Sequence, residues 1–229
     1  DLATANLGTD DVSVLLGNGD GTFQAEQRYE AGSVAFIVAI GDLDRDSIPD
    51  LAVVNRFSDD VSILLGNGDG TFQPQQRFNA GGFPSSVAIG DLDRDAIPDL
   101  AVTNQNSNDV SVLLGNGDGT FRNQLRFETG DARSVVIGDL NHDGASDLAV
   151  ANFFEDDVSV LLGNGRLIFP RSSPAVDAGD FPLSVAIGDI DGDMVPDLAV
   201  ANRDSDDVSV LLGNGGGNFQ PEQRSGVGG

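Results

Sequence analysis

One phrase returns five times along this chain. LLGNG begins at Leu15, Leu64, Leu113, Leu161 and Leu211, at spacings of 49, 49, 48 and 50 residues. DLA recurs in step from Asp1, Asp50, Asp99, Asp147 and Asp197, and DVS from Asp11, Asp60, Asp109, Asp157 and Asp207. A fixed period of about 20–50 residues marks an array of similar units that bury their apolar faces against one another. Nothing between the copies reads as a linker. The 229 residues divide into repeats 1–32 (partial), 33–81, 82–129, 130–179 and 180–229, a single domain or a fragment of one.

Each unit reads as four short strands. SVAIGDL (86–92) alternates small and β-branched residues, DLAVTN (99–104) and DVSVLLG (109–115) follow, and a weaker fourth carries Arg126 and Phe127. Apolar periodicity of helical length is absent, and Gly, Asn and Asp cluster between the runs. Gly115-Asn116-Gly117 reads as a tight hairpin, because Asn and Gly both tolerate positive φ. Four antiparallel strands every ~40–50 residues is the pattern of a β-propeller blade, so the expected fold is all-β, five blade units with the first incomplete. Small residues such as Ala88 and Gly90 suit a crowded centre.

Charge narrows the partners. With 37 acidic and 12 basic side chains the formal charge is −25, a poor match for nucleic acid or an anionic membrane and a good one for cations. The 39% hydrophobic content is enough for a sizeable core. No apolar run approaches the ~18 residues needed to cross a bilayer, so no membrane insertion is expected. There is no cysteine, hence no disulfide. The chain opens at Asp1 without a methionine or signal-like stretch, which reads as a processed form or an excised segment.

The densest charge lies in four aligned loops: DLDRDSIPD (42–50), DLDRDAIPD (91–99), DLNHDGASD (139–147) and DIDGDMVPD (189–197). Positions 1, 3, 5 and 9 are Asp42, Asp44, Asp46 and Asp50; Asp91, Asp93, Asp95 and Asp99; Asp139, Asn141, Asp143 and Asp147; Asp189, Asp191, Asp193 and Asp197. Alternate spacing lets a tight loop turn these oxygens inward while positions 4 and 6 vary. A hard divalent cation takes about six to eight oxygens at 2.3–2.6 Å, and Ca²⁺ tolerates irregular geometry better than Mg²⁺. The position-7 carbonyls of Ile48, Ile97, Ala145 and Val195, with water, would complete such shells. Acidic runs also serve as turn caps on solvated loops. Four copies at one spacing favour about four Ca²⁺ sites.

The stretch VAIGDLDRDxIPDLAV…DVSVLLGNGDGTF resembles the FG-GAP repeat, also called the VCBS repeat, of integrin α-subunit propellers and many secreted bacterial proteins. The resemblance covers essentially the whole chain. It implies a β-propeller with Ca²⁺ held between the first and second strands of each blade, on the loop positions named above. It also implies an extracellular or cell-surface location. The family usually has glycine at the sixth loop position, and only Gly144 matches; if positive φ is required there, Ser47, Ala96 and Met194 carry strain.

Other features receive plainer readings. The DD pairs before VSV start strands and stay hydrated, and Arg28, Arg77, Arg126 and Arg224 on the fourth strands block edge-to-edge pairing. GNGDGTF is read as a turn rather than a calcium roll, since Asp20, Asp69 and Asp118 give way to Arg166 and Gly216. One histidine, His142, on a variable loop position leaves no basis for a catalytic triad, so no enzyme activity is expected. An adhesion or protein-interaction scaffold ranks first among functions. A carbohydrate-binding propeller is the alternative; it lacks tryptophan and has one tyrosine, but Phe57, Phe83, Phe153, Phe154 and Phe181 lie in loops. The propeller portion of a larger secreted enzyme is the third.

Overall fold

The computed structural model describes residues 1–166, 169 and 175–227; residues 167–168, 170–174 and 228–229 of the last two repeats lie outside that description. The chain forms five antiparallel sheets in sequence order. Sheet I has three strands, β1 (Leu2–Asn6), β2 (Asp11–Leu15) and β3 (Gln27–Glu30). Sheet II has β4 (Ala35–Gly41), β5 (Asp50–Asn55), β6 (Asp60–Leu64) and β7 (Gln76–Asn79). Sheet III has β8 (Pro84–Gly90), β9 (Asp99–Asn104), β10 (Asp109–Leu113) and β11 (Leu125–Glu128). Sheet IV has β12 (Ala132–Gly138), β13 (Asp147–Asn152), β14 (Asp157–Leu161) and β15 (Val176–Asp177). Sheet V has β16 (Pro182–Gly188), β17 (Asp197–Asn202), β18 (Asp207–Leu211) and β19 (Gln223–Gly226). Within every sheet consecutive strands pair, and each sheet falls inside one repeat. Sheet I begins at the strand equivalent to β5, so its partial repeat carries no counterpart of β4.

The cores lie between sheets, not within them. Ala52, Val54, Val61 and Ile63 of sheet II meet Val87, Leu100 and Val102 of sheet III. On the other side, Leu51, Val53 and Leu64 meet Val12 and Val14 of sheet I. Alternate side chains of one strand point to opposite faces, so a strand buried on both faces must be apolar almost throughout. That is why β5, β9 and β13 are buried at every residue. Each fully buried Leu or Val contributes roughly 1.5–3 kcal/mol. Aromatic pairs close the junctions farther out: Tyr29–Phe72, Phe78–Phe121 and Phe127–Phe169 meet edge to face at 5.3, 5.3 and 5.1 Å. The first strands β4, β8, β12 and β16 lie beside one another in that order.

The glycine-rich turns differ from the expected tight hairpin. Asn18 donates its backbone N–H to Thr22 O at 2.9 Å and its side chain to Thr22 Oγ1 at 2.8 Å, so the turn is wider than two residues. The glycines at 19 and 21, not the asparagine, take positive φ, at 80° and 88°. Asp20 accepts the Thr22 N–H and Oγ1–H at 2.9 and 2.6 Å, and these bonds hold its carboxyl below its ordinary range. Asp69 and Asp118 repeat the arrangement with Thr71 and Thr120.

Candidate metal centre

Each acidic loop joins the first strand of a sheet to the second. Its last aspartate is the anchor. Asp50, at the start of β5, accepts the Leu43 N–H at 2.7 Å and the Gly66 N–H at 2.8 Å. Asp99 does the same with Leu92 and Gly115, Asp147 with Leu140 and Gly163, and Asp197 with Ile190 and Gly213, all at 2.7–2.9 Å. These four carboxylates are essentially buried, and they stitch the loop to the LLGNG turn. Each oxygen keeps a second lone pair for a cation.

The remaining loop positions fold back on that anchor. Asp42 accepts the N–H groups of Asp46 and Ser47 at 3.1 and 2.9 Å, and Asp44 accepts that of Asp46 at 3.2 Å. Asp46 turns to accept the Ile48 N–H at 2.8 Å. The same bonds recur around Asp91, Asp93 and Asp95. In consequence positions 1, 3 and 9 converge: one carboxylate oxygen from each of Asp42, Asp44 and Asp50 lies within 4.8 Å of the others, as do those of Asp91, Asp93 and Asp99 and of Asp189, Asp191 and Asp197. Position 5 (Asp46, Asp95, Asp193) stands outside these triplets and caps the N–H of position 7 (Ile48, Ile97, Val195). In the third loop Asn141 replaces the central carboxylate; its Oδ1 accepts the Asp143 N–H at 2.9 Å and its Nδ2 donates to Asp143 Oδ2 at 3.2 Å. Asp139 accepts the N–H groups of Asp143 and Gly144, and Asp143 caps Ala145.

The electrostatics of the loops are those of sites short of positive charge. Burial pushes Asp99 up to about 6 against two favourable N–H bonds, and the charges of Asp93 and Asp95 add to it. Asp147 is likewise pushed to about 6 by burial, with Asp143 and Asp139 contributing. Burial, then neighbouring carboxylates, also raises Asp44, Asp50, Asp93 and Asp191. A divalent ion would reverse each of these trends.

Tight curvature has a backbone cost. Position 6 is left-handed in every loop, with φ of 67° at Ser47, 62° at Ala96, 80° at Gly144 and 69° at Met194. Position 4 is left-handed too, at Arg45 (69°), Arg94 (65°), His142 (59°) and Gly192 (84°). Free variation at position 4 hides a second role. Arg94 donates to the carbonyls of Asp143 and Gly144, in the next loop along the chain, at 2.7 and 3.0 Å. His142 Nε2 lies 3.1 Å from Met194 O in the loop after that. Sequence spacing carries no signal for such contacts.

The repeat motif decides the family. The FG-GAP-like repeat matches residues 42–102, 95–150 and 139–200, spans that contain all four loops. The chain belongs to the FG-GAP-like repeat family. No curated protein matches this FG-GAP chain in sequence. Among solved structures it is similar to a Lactobacillus plantarum protein, at 18% identity and a TM-score of 0.74, covering 98% of this chain and 67% of that one. It is also similar to an Agrocybe aegerita lectin described as recognising non-reducing terminal N-acetylglucosamine (19%, 0.52, 97% and 76%). A third likeness is to BBS1N, crystallised with ARL6DN (14%, 0.59, 86% and 58%), so this chain spans little more than half of that protein.

One expectation about the FG-GAP surface needs correction. The DD pairs are not simply hydrated. Asp10 and Asp59 accept the N–H groups of Val34 and Phe83 at 2.7 and 2.8 Å, tying one sheet to the start of the next. Asp60, Asp109 and Asp207 are buried and bind Asn55, Asn104 and Asn202 at 2.8 Å. The fourth-strand arginines are their partners: Arg28 pairs with Asp11, Arg77 with Asp60, Arg126 with Asp109 and Arg224 with Asp207. Those arginines tie the third strand to the fourth.

Proposed function

We propose that this chain is a calcium-stabilised β-propeller segment that acts outside the cell as a non-catalytic scaffold for adhesion or protein interaction. The observation that carries the reading is the convergence of three carboxylates within 4.8 Å in each of three loops, on a backbone strained to bring them together. Oxygen-only donors with irregular spacing suit Ca²⁺ better than the octahedral demand of Mg²⁺. The third loop, with Asn141, would be a weaker site. When bound, the ion supplies the positive charge that lets the aspartates stay ionised in a half-buried loop. Because it binds the folded loops and scarcely the unfolded chain, it stabilises by about 2.7 kcal/mol per site at a hundredfold excess over Kd. Millimolar free Ca²⁺ outside cells is what favours that location. Side-by-side first strands in sequence order and the FG-GAP family support propeller geometry.

The test is calcium titration by calorimetry beside thermal melts in chelator. About four sites, one of them weaker, and a clear loss of Tm on chelation are expected. An unchanged Tm in chelator would sink the reading. A carbohydrate-binding function is the second reading, favoured by the lectin likeness and by Phe57 and Phe154, which are about two-thirds exposed. Binding to a glycan array separates it from a protein scaffold.

A further inference from the structure

The repeats agree at most positions, and the informative places are those where they part. Two such rows come together. The second residue of each first strand is Phe36, Ser85, Arg133 or Leu183, and each sits where pairing with the second strand slips by one residue. Such a bulge takes a side chain out of the ladder and re-aims it. The residue following the second strand is Arg56, Gln105, Phe153 or Arg203. First strands begin and second strands end on the side opposite the aspartate loops, so both rows share one end of the array. There Phe36, Arg56, Ser86, Gln105, Arg133 and Ser184 line a cavity of about 210 Å³.

Its charge is the reverse of the chain's. Arg56 lies over the Phe36 ring at 3.5 Å and near the Phe83 ring at 4.7 Å. It has no carboxylate partner among the described residues, and its Nε is buried with no acceptor at all. Burial, then the Arg133 charge, holds this guanidinium below its ordinary value. Arg133 is held by an ion pair, its Nε 3.2 Å from Asp131, and with the Gln105 amide oxygen turned toward it Gln105 accepts from Nε and Nη1 at 2.8 and 2.6 Å, so the positive charge of the cavity without a carboxylate partner is that of Arg56. The Phe153 ring packs 4.2 Å from Arg133. In a chain with 37 acidic side chains, Arg56 is held by aromatic faces rather than by a carboxylate, which leaves its charge to be met by a ligand. Guanidinium forks match a planar carboxylate. The −25 background also penalises a dianionic phosphate more than a monoanion.

We propose that this cavity binds a carboxylate-bearing small ligand, with Arg56 and Arg133 gripping the carboxylate and Phe36 covering its apolar flank. The site is independent of the calcium loops. Calorimetry or NMR titration at low salt, in calcium, would use glucuronate and N-acetylglutamate methylamide as probes, with glucose and the glutamine analogue as neutral controls. Acids should bind and the neutral controls should not. Arg56→Gln and Arg133→Gln should each weaken binding by about tenfold or more, and Arg56→Lys, which keeps the charge but not the fork, should also weaken it. Arg56→Gln should leave Tm unchanged or higher, which a merely structural arginine would not do. Preference for glucuronate would point to acidic sugars, and preference for the glutamate probe to acidic peptides. Absence of binding by both acids, or binding unaffected by both glutamine substitutions, would overturn the proposal.

Discussion

Sheets III and V are spelled almost alike, DLAVTN with DVSVL in one and DLAVAN with DVSVL in the other, yet they are differently buried. Every residue of β9 and β10 is buried. In sheet V, Ala199 is only half-buried and Ala201 is exposed, and Leu183 on β16 is 41% exposed. A Cβ at Gly90 would lie 3.1 Å from Ile137, and one at Gly138 2.8 Å from Ile187, whereas one at Gly188 meets nothing within 4 Å. The complementary half appears at the other end, where Ile40 is 57% exposed although its equivalents Ile89, Ile137 and Ile187 pack against glycines. The lesson is that a repeat encodes half of two cores. Whether its apolar residues are buried depends on the sheet beside it.

Substitutions at matched positions measure that difference. Leu100→Ala, at a fully buried site, should cost about 2–5 kcal/mol. The equivalent Leu2→Ala, at a residue 52% exposed, should cost about 1 kcal/mol or less. Urea melts of the two variants check this, and equal losses would break the contrast. Acid comes next. Asp99 and Asp147 stand at about 6 when folded against 3.8 unfolded, so ionised they oppose folding and protonated they do not. The calcium-free chain should therefore gain stability as pH falls from 7 through 6 toward 4, on the order of 1–2 kcal/mol after solvent screening. Below that window the lowered carboxyls of Asp11, Asp20, Asp69, Asp118 and Asp207 lose their stabilising bonds and the gain should reverse. Chelator-treated melts across pH would reveal this optimum.

Smaller effects distinguish sheet V and its loop from the interior sheets. Met194 is left-handed at 69° and 81% exposed, so Met194→Gly relieves strain and removes almost no packing; a gain of about 1 kcal/mol is expected by thermal melt. Gly188→Ala should stabilise by about 0.5 kcal/mol through the unfolded chain. Gly138→Ala, crowding Ile187, should shift stability the other way. Like signs for the two glycine variants would argue that the junctions are looser than described.

Much of this was legible in sequence because the repeats supply internal controls. Period, strand order and the aspartate loops all follow from aligned copies, and the doubt about Ser47, Ala96 and Met194 corresponds to a left-handed backbone at all three. What stayed hidden depends on neighbours. Nothing in spacing announces that Arg94 reaches the carbonyl of Asp143, or that Asp60 and Arg77 pair, because these partners meet only once sheets stack and strands register. The Arg56 cavity was hidden for a further reason: alignment draws attention to what repeats, and that cavity is built from what does not.

The reach of Arg94 and His142 into the following loop means that the second, third and fourth loops are not separate receptacles. An ion that immobilises Asp143 and Gly144 also immobilises the support on which Arg94 rests, and so steadies the loop before it. Occupancy should thus spread from neighbour to neighbour, steepening the titration beyond what isolated sites would give. At Gly192 the relay ends, since no side chain projects from that position to pass the ordering on.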